Sequence, residues 1–241
     1  MSGTILITGA SSGIGAATAR LFLAEGWQVG LFARRAEALE RLAGAATGAH
    51  VLPGDVTEPD AMEGAMAALV RETGRIDVLF NNAGLFTPPA PFDEVPLEDW
   101  DRAIAVNLRG MIVAARAAFA RMRAQAPQGG RIVNNGSISA HSPREGAGPY
   151  TVTKHAVTGL TRQIALDGRP YGITAGQIDI GNARTEIIEA IAARARAAGE
   201  AEPPSFDVDE AARAVWHMAT LPAEANVLSM TLMATTMPFV G

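Results

Sequence analysis

Seven short apolar runs alternate with six longer segments that keep one side apolar, and no other feature narrows the fold as far. The runs are Thr4–Thr8, Gln28–Ala33, Ala49–Pro53, Val78–Asn81, Arg131–Asn134, Ile173–Asp179 and Asn226–Met233. The longer segments are Gly13–Glu25, Ala36–Ala43, Pro59–Thr73, Trp100–Ala124, Tyr150–Leu166 and Asp209–Thr220. Short runs bounded by turn residues predict buried strands, and the amphipathic stretches predict helices. Strand, helix, strand, repeated, predicts parallel strands joined by right-handed crossovers. The expected class is α/β: a doubly wound parallel sheet with helices on both faces. No repeat or linker divides the chain, so one domain over residues 1–241 is expected. Residues 182–206 are rich in Ala, Arg and Glu and end in Glu202-Pro203-Pro204. They predict a helical insertion with a mobile exit, covering a site.

Composition excludes several functions. Hydrophobic residues make up 48% of the chain, enough for a substantial core. The net charge of −5, with no basic run, argues against a nucleic-acid partner. There is no cysteine, hence no disulfide framework and no thiolate chemistry. The first residues lack a signal-peptide pattern, and no apolar run reads as long enough to span a bilayer. A soluble, cytoplasmic protein with no membrane partner is expected. His50, His141, His155 and His217 show no metal-ligand spacing, so no metal is expected. His141 reads as a solvated loop residue near the site. Glu98, Asp99 and Asp101 read as the acidic start of a helix. Trp100 and Trp216 read as packing residues, and Ala190–Ala198 as a solvated helix face.

Thr8-Gly9-Ala10-Ser11-Ser12-Gly13-Ile14-Gly15 joins the first strand to the first helix. Gly9 permits a tight turn, Gly13 a close approach of backbone to phosphate, and Gly15 close packing of helix on strand. Free amides at the helix start favour a pyrophosphate. Gly9, Ser11, Ser12, Gly13, Ile14 and Gly15 are therefore the first candidates for a dinucleotide site on a Rossmann-type sheet.

The spacing G-x-x-x-G-x-G resembles the short-chain dehydrogenase/reductase family. Further motifs carry the resemblance along nearly the whole chain: Asp55-Val56 after the third strand, Asn81-Asn82-Ala83-Gly84 after the fourth, and Asn107 in Val106-Asn107-Leu108-Arg109-Gly110. Ser137 lies thirteen residues before Tyr150, and Tyr150 lies four before Lys154, giving Y-x-x-x-K. The resemblance implies a hydride-transferring oxidoreductase acting on a small carbonyl or alcohol. It implies cofactor contacts from Asp55, Val56, Asn82, Ala83, Gly84, Tyr150 and Lys154, and a homodimer or homotetramer. It also implies that Tyr150 gives its proton to the carbonyl oxygen, that Lys154 binds the nicotinamide ribose, and that Asn107 helps hold a water that relays protons to the lysine.

The residues themselves support that chemistry. A phenol has a pKa of about 10, and a nearby ammonium favours the phenolate, so Lys154 is expected to lower that of Tyr150. Acid–base work is best near the ambient pH. The Ser137 hydroxyl is placed to stabilise charge on the substrate oxygen. Asn107 stands mid-helix, where asparagine is a poor former, which points to a specific task.

At the end of the second strand the family's acidic position holds Ala33, followed by Arg34 and Arg35. An acid there would bond the ribose 2′-hydroxyl of NAD, whereas an arginine suits a 2′-phosphate. NADP(H) is expected over NAD(H), chiefly through Arg34. After the sixth strand Ile180 stands where the family has proline, Gly181 is kept, and Ala183 and Thr185 fall at cofactor-contacting positions. Met230–Gly241 lacks the family's Asp-Gly-Gly ending. Candidate substrate walls are Leu85–Val95, Ile138–Gly148 and Ile180–Phe206. Two other functions suit the same fold: a cofactor-binding regulatory protein without turnover, and an epimerase or dehydratase. The intact Ser137–Tyr150–Lys154 set speaks against the first, and the short C-terminal region against the second.

Overall fold

The computed structural model describes residues 2–238. Residues 239–241, the last of the atypical C-terminal stretch, lie outside it. Seven parallel strands form one sheet: β1 (Thr4–Thr8), β2 (Gln28–Ala33), β3 (Ala49–Pro53), β4 (Val78–Asn81), β5 (Gly130–Asn135), β6 (Ile173–Ile180) and, at the far edge, β9 (Ser229–Leu232). Their order is β3-β2-β1-β4-β5-β6-β9. The order reverses between β1 and β4, and a crevice opens outside the carboxyl ends of strands at such a reversal. The last strand is shorter than its apolar run predicts. With isoleucine in place of proline, β6 continues through Ile180, which stands opposite Leu232.

The two faces follow from the strand period of two. On β1, Ile5 and Ile7 point into one core layer and Leu6 into the other. Helices α1 (Gly13–Ala24), α2 (Ala36–Ala43) and α8 (Val208–Thr220) cover the first face. There Phe22 packs edge-on against Trp27 and Trp216, at ring-centre distances of 5.0 and 4.8 Å. Helices α3 (Pro59–Thr73), α5 (Met111–Ala124) and α6 (Gly148–Gly168) cover the second, contributing Met62, Met66, Leu69, Met122 and Ile164. Burial of a side chain of this size stabilises by roughly 1.5–3 kcal/mol.

The helical stretch expected from Trp100 begins earlier, with α4 (Leu97–Ala103). Glu98 and Asp99 therefore sit in the first turn, while Asp101 falls beyond it. A π-helical segment, Ile104–Gly110, then joins α4 to α5. Together Leu97–Ala124 is long and apolar enough, by length and composition, to cross a membrane, contrary to the expectation from the runs alone. One side of it serves the core: Met111, Ala114, Ala115, Ala117, Ala118 and Met122 are buried.

Between β6 and α8 the chain forms β7 (Ala183–Arg184), α7 (Glu186–Ala198) and β8 (Phe206–Asp207). The short strands pair in parallel, so the insertion is fastened at both ends. Its exit is held rather than free: the Pro204 carbonyl accepts from Asn182 Nδ2 at 3.0 Å, and Arg196 pairs with Glu202 at 2.7 Å.

Candidate active site

The glycine-rich turn lies at the carboxyl end of β1, beside the reversal in strand order. Gly9 has φ +68° and Gly13 φ +53°, a region that L side chains rarely adopt. A Cβ on Gly15 would land on the Gly9 carbonyl, so only glycine lets α1 start this close to the turn. No side chain caps the start of α1 and no acid stands in its first turn. Its free amides and positive end remain available to an anion. Asn82 locks the turn to β4: its Nδ2 donates to the Thr8 carbonyl at 2.9 Å, and its own amide donates to the Thr8 hydroxyl at 2.9 Å.

The turn forms one end of a cleft of about 380 Å³. Gly9, Ser11, Ser12, Gly13, Ile14, Arg34, Arg35, Asp55, Val56, Asn82, Ala83 and Gly84 line it, as do Ser137, Tyr150, Lys154, Gly181, Ala183 and Thr185. Of the candidates from sequence, Gly15 and Asn107 stand behind the lining rather than in it. Phe86, Asn135, Arg144, Asn182 and Ile187 also line the cleft. Sequence reasoning did not single these out, although three of its candidate walls contain all but Asn135.

Arg34 and Arg35 are held differently. Arg35 Nη2 donates to both the Ser11 and Ser12 hydroxyls at 3.0 Å, whereas the exposed Arg34 stands 4.0 Å from Asp55. Arg35 rather than Arg34 is thus fixed over the turn. One Asp55 oxygen accepts from the amide and hydroxyl of Thr57, both at 2.9 Å. Ala33 leaves no carboxylate at the end of β2.

At the other end, Ser137 lies two residues past β5 and caps the 3₁₀ turn Ile138–Ala140, its Oγ accepting from the Ser139 amide at 3.1 Å. Tyr150 and Lys154 project one turn apart from α6. Lys154 is buried, and its Nζ donates to the Asn135 carbonyl at 2.7 Å. It sits 5.4 Å from the centre of the Tyr150 ring, over the ring face. Phe86 stacks on the same ring at 4.1 Å.

Burial governs the titration of both groups. It pushes the Tyr150 phenol up to about 12; the Ser137 hydroxyl and the Arg144 charge pull it back, and the Asp179 charge raises it further. Against the expected depression of this phenol by Lys154, desolvation by burial is the larger effect. Burial also pushes the Lys154 ammonium down to about 8, against the upward pull of Asp179.

Asn107 is fully buried, and both ends of its amide meet Leu85: Oδ1 accepts from the Leu85 amide at 2.8 Å and Nδ2 donates to its carbonyl at 2.9 Å. Its side chain pins the loop after β4 to the π-helical segment and does not reach Lys154.

Asp179 is a residue that sequence reasoning missed. Its side chain is wholly buried. Oδ1 accepts from the Ser137 amide at 2.9 Å and from Gln177 Nε2 at 2.7 Å. Oδ2 accepts from His141 Nε2 at 2.8 Å. His141, exposed on the loop as expected, is in addition tied by this bond to the sheet. A Cβ on Gly136 would strike Asp179 Oδ1, so the glycine before Ser137 makes room for this carboxylate. An acid in an apolar strand carries a signal, since a buried carboxylate needs several donors.

A nicotinamide dinucleotide suits these residues. The uncapped helix start fits its pyrophosphate, and the buried Asn135 Oδ1, which has no protein donor, fits a hydroxyl or amide of the ligand.

The family model for short chain dehydrogenase matches residues 3–196. A serine 3-dehydrogenase of Agrobacterium fabrum is 35% identical, over 100% of this chain and 97% of the relative. A sulfoacetaldehyde reductase of Chromohalobacter salexigens is 32% identical over 98% and 95%. The closed form of a serine dehydrogenase complexed with NADP+ superposes with a TM-score of 0.88, at 27% identity, over 99% of this chain and 97% of that one. With the glycine turn and the Ser137–Tyr150–Lys154 set on one cleft, these matches identify the chain as an oxidoreductase of the short-chain dehydrogenase/reductase family.

Proposed function

We propose that the enzyme transfers a hydride between NADP(H) and a small carbonyl or alcohol, with Tyr150 as the acid–base group. The observation that carries this reading is the meeting of Ser137, Tyr150 and Lys154 on the cleft that begins at the glycine-rich turn. The nicotinamide, when bound, supplies or accepts the hydride. In reduction the Tyr150 hydroxyl gives its proton to the carbonyl oxygen while the carbonyl carbon gains the hydride; in oxidation Tyr150 takes that proton back from the alcohol. One carbonyl, one NADPH and one proton become one alcohol and one NADP+. Burial keeps Tyr150 protonated at neutral pH, ready to donate. The Ser137 hydroxyl offers its proton to the negative charge that develops on the substrate oxygen. Lys154 holds the ribose, and Asn107 positions the Leu85 loop.

NADP(H) is favoured over NAD(H) because Ala33 leaves no carboxylate at the end of β2, while Arg35 is held by Ser11 and Ser12 and Arg34 stands beside it. The NADP+ complex of the serine dehydrogenase supports this choice. Serine and sulfoacetaldehyde, named for the relatives, are both small and both carry an acid group. The regulatory and epimerase readings gain no support from relatives named for a dehydrogenase and a reductase.

We assign the 182–206 insertion to covering the substrate, within a single catalytic domain. A chain with no cysteine and a diffusible cofactor suits the cytoplasm. Two copies associate through the outer side of the π-helical segment, α5 and α6, where Ile104, Ile112, Val152 and Leu166 are exposed. Val157 and Ile164 on α6 are buried and face the core. Following nicotinamide absorbance over a panel of ketones and alcohols tests the reaction. NADPH-dependent turnover of at least one is expected, and inertness towards all of them would contradict it.

A further inference from the structure

We infer that the substrate carries a carboxylate or sulfonate group close to its reacting carbon, and that Arg144 holds this anion. The inference rests on the oxidoreductase reading and narrows its substrate.

Arg144 lies in the loop between the 3₁₀ turn and α6, and it lines the cleft with Ser137, Tyr150 and Lys154. Its charge is felt at the Tyr150 phenol, which places it at the reacting end. Among the described residues it forms no ion pair. Its side-chain partner is neutral: Nη2 donates to Asn182 Oδ1 at 3.2 Å. Asn182 is buried, with its Nδ2 committed to the Pro204 carbonyl at 3.0 Å. The amide oxygen that meets Arg144 is therefore fixed, and it braces the guanidinium from behind. A guanidinium has five N–H donors in a planar fork. One is used on Asn182, which leaves a face able to receive two oxygens of an anion side by side.

The other charges in the region are already engaged or lie elsewhere. Lys154 donates to the Asn135 carbonyl. Arg34 and Arg35 stand at the opposite end, against Asp55 and the turn serines. Asp179 is saturated by Ser137, Gln177 and His141. Glu186 lines the cleft from the start of α7 and, like Arg144, is exposed. Arg144 is thus the cation at the substrate end with free donors. Phe86, Ile187 and Ile188 line the same cleft.

The test compares 3-hydroxypropanoate and 2-hydroxyethanesulfonate with uncharged propane-1,3-diol, using NADP+ and the wild type, Arg144→Met and Arg144→Lys. Calorimetric binding of the two anions to the NADP+-saturated enzyme is measured alongside, together with the Kd for NADP+. The wild type is expected to favour an anion over the diol in kcat/KM. Arg144→Met should lower that ratio by about ten- to a hundredfold, mostly through KM, and weaken anion binding similarly. Arg144→Lys should recover part of the ratio, and the Kd for NADP+ should stay within about threefold in both variants, which also shows that they fold. The better of the two anions distinguishes carboxylate from sulfonate. Turnover with no preference for the anions, or an equal loss on charged and uncharged substrates in Arg144→Met, would overturn the inference and leave the oxidoreductase reading standing. Arg144-dependent anion binding without any turnover would do the reverse.

Discussion

Lys154 holds its ammonium over the face of the Tyr150 ring, 5.4 Å from its centre, and donates to the Asn135 carbonyl at 2.7 Å. The pair is therefore a buried lysine beside a half-buried tyrosine rather than a direct ammonium–phenol contact. Each group's neutral form is favoured by burial, and that has a measurable consequence.

Below pH 8 the folded and unfolded chains both keep the Lys154 proton, and the cost of burying the ammonium is fully present. Between about 8 and the ordinary lysine value, the unfolded chain binds more protons, so the contribution of this residue to stability rises with pH. Lys154→Met lacks the group and misses that rise. Wild-type stability relative to this variant should grow by about 1–3 kcal/mol from pH 7 to pH 10, read by chemical denaturation at both values. A constant difference would show that the ammonium titrates normally.

Arg35 is fixed over the turn by two serines, while Arg34 reaches out beside Asp55. Arg35→Ala should weaken NADP(H) binding by roughly ten- to a hundredfold, with NAD(H) much less affected, because a charge-assisted bond to phosphate contributes about 1.5–3 kcal/mol. Arg34→Ala should give the smaller loss. Equal wild-type affinities for the two cofactors in a fluorescence titration would contradict this assignment.

Asp179 orders the turn that carries Ser137. Asp179→Ala leaves the buried Ser137 amide without its acceptor, at a cost of about 1–3 kcal/mol in stability. Turnover should fall with it, while NADP(H) affinity changes by less than about threefold. Unchanged turnover would show that Ser137 keeps its place without the carboxylate.

The fold was open to reading because each strand obeys a local rule. Ile5, Leu6 and Ile7 alternate between faces, and the turn beginning at Gly9 needs backbone angles that glycine supplies. The site was legible where residues near in sequence act together, as in Tyr150 and Lys154. What escaped depends on groups distant in sequence. Asp179 gains its task from Ser137 and His141; an acid in an apolar strand marks the position, but its partners are distant in sequence. The task of Asn107 in the π-helical segment lies in its bonds to Leu85, twenty-two residues away in sequence. The high pKa of Tyr150 reflects packing by other elements, Phe86 among them, which no motif spacing encodes.

The proposed association between copies rests on the exposed Ile112 on α5 and Val152 on α6. Ile112→Asp should shift the protein towards monomer by light scattering at micromolar concentration, since an unpaired charge in an apolar interface is costly. A wild type that is already monomeric would remove this expectation.

The central claim is that Tyr150 moves the proton while hydride moves to or from the carbon. Tyr150→Phe removes that proton and keeps the ring against Phe86. On a substrate that the wild type reduces with NADPH, kcat of Tyr150→Phe should fall by about two to four orders of magnitude, with NADPH affinity retained. Near-normal turnover by Tyr150→Phe would contradict the mechanism.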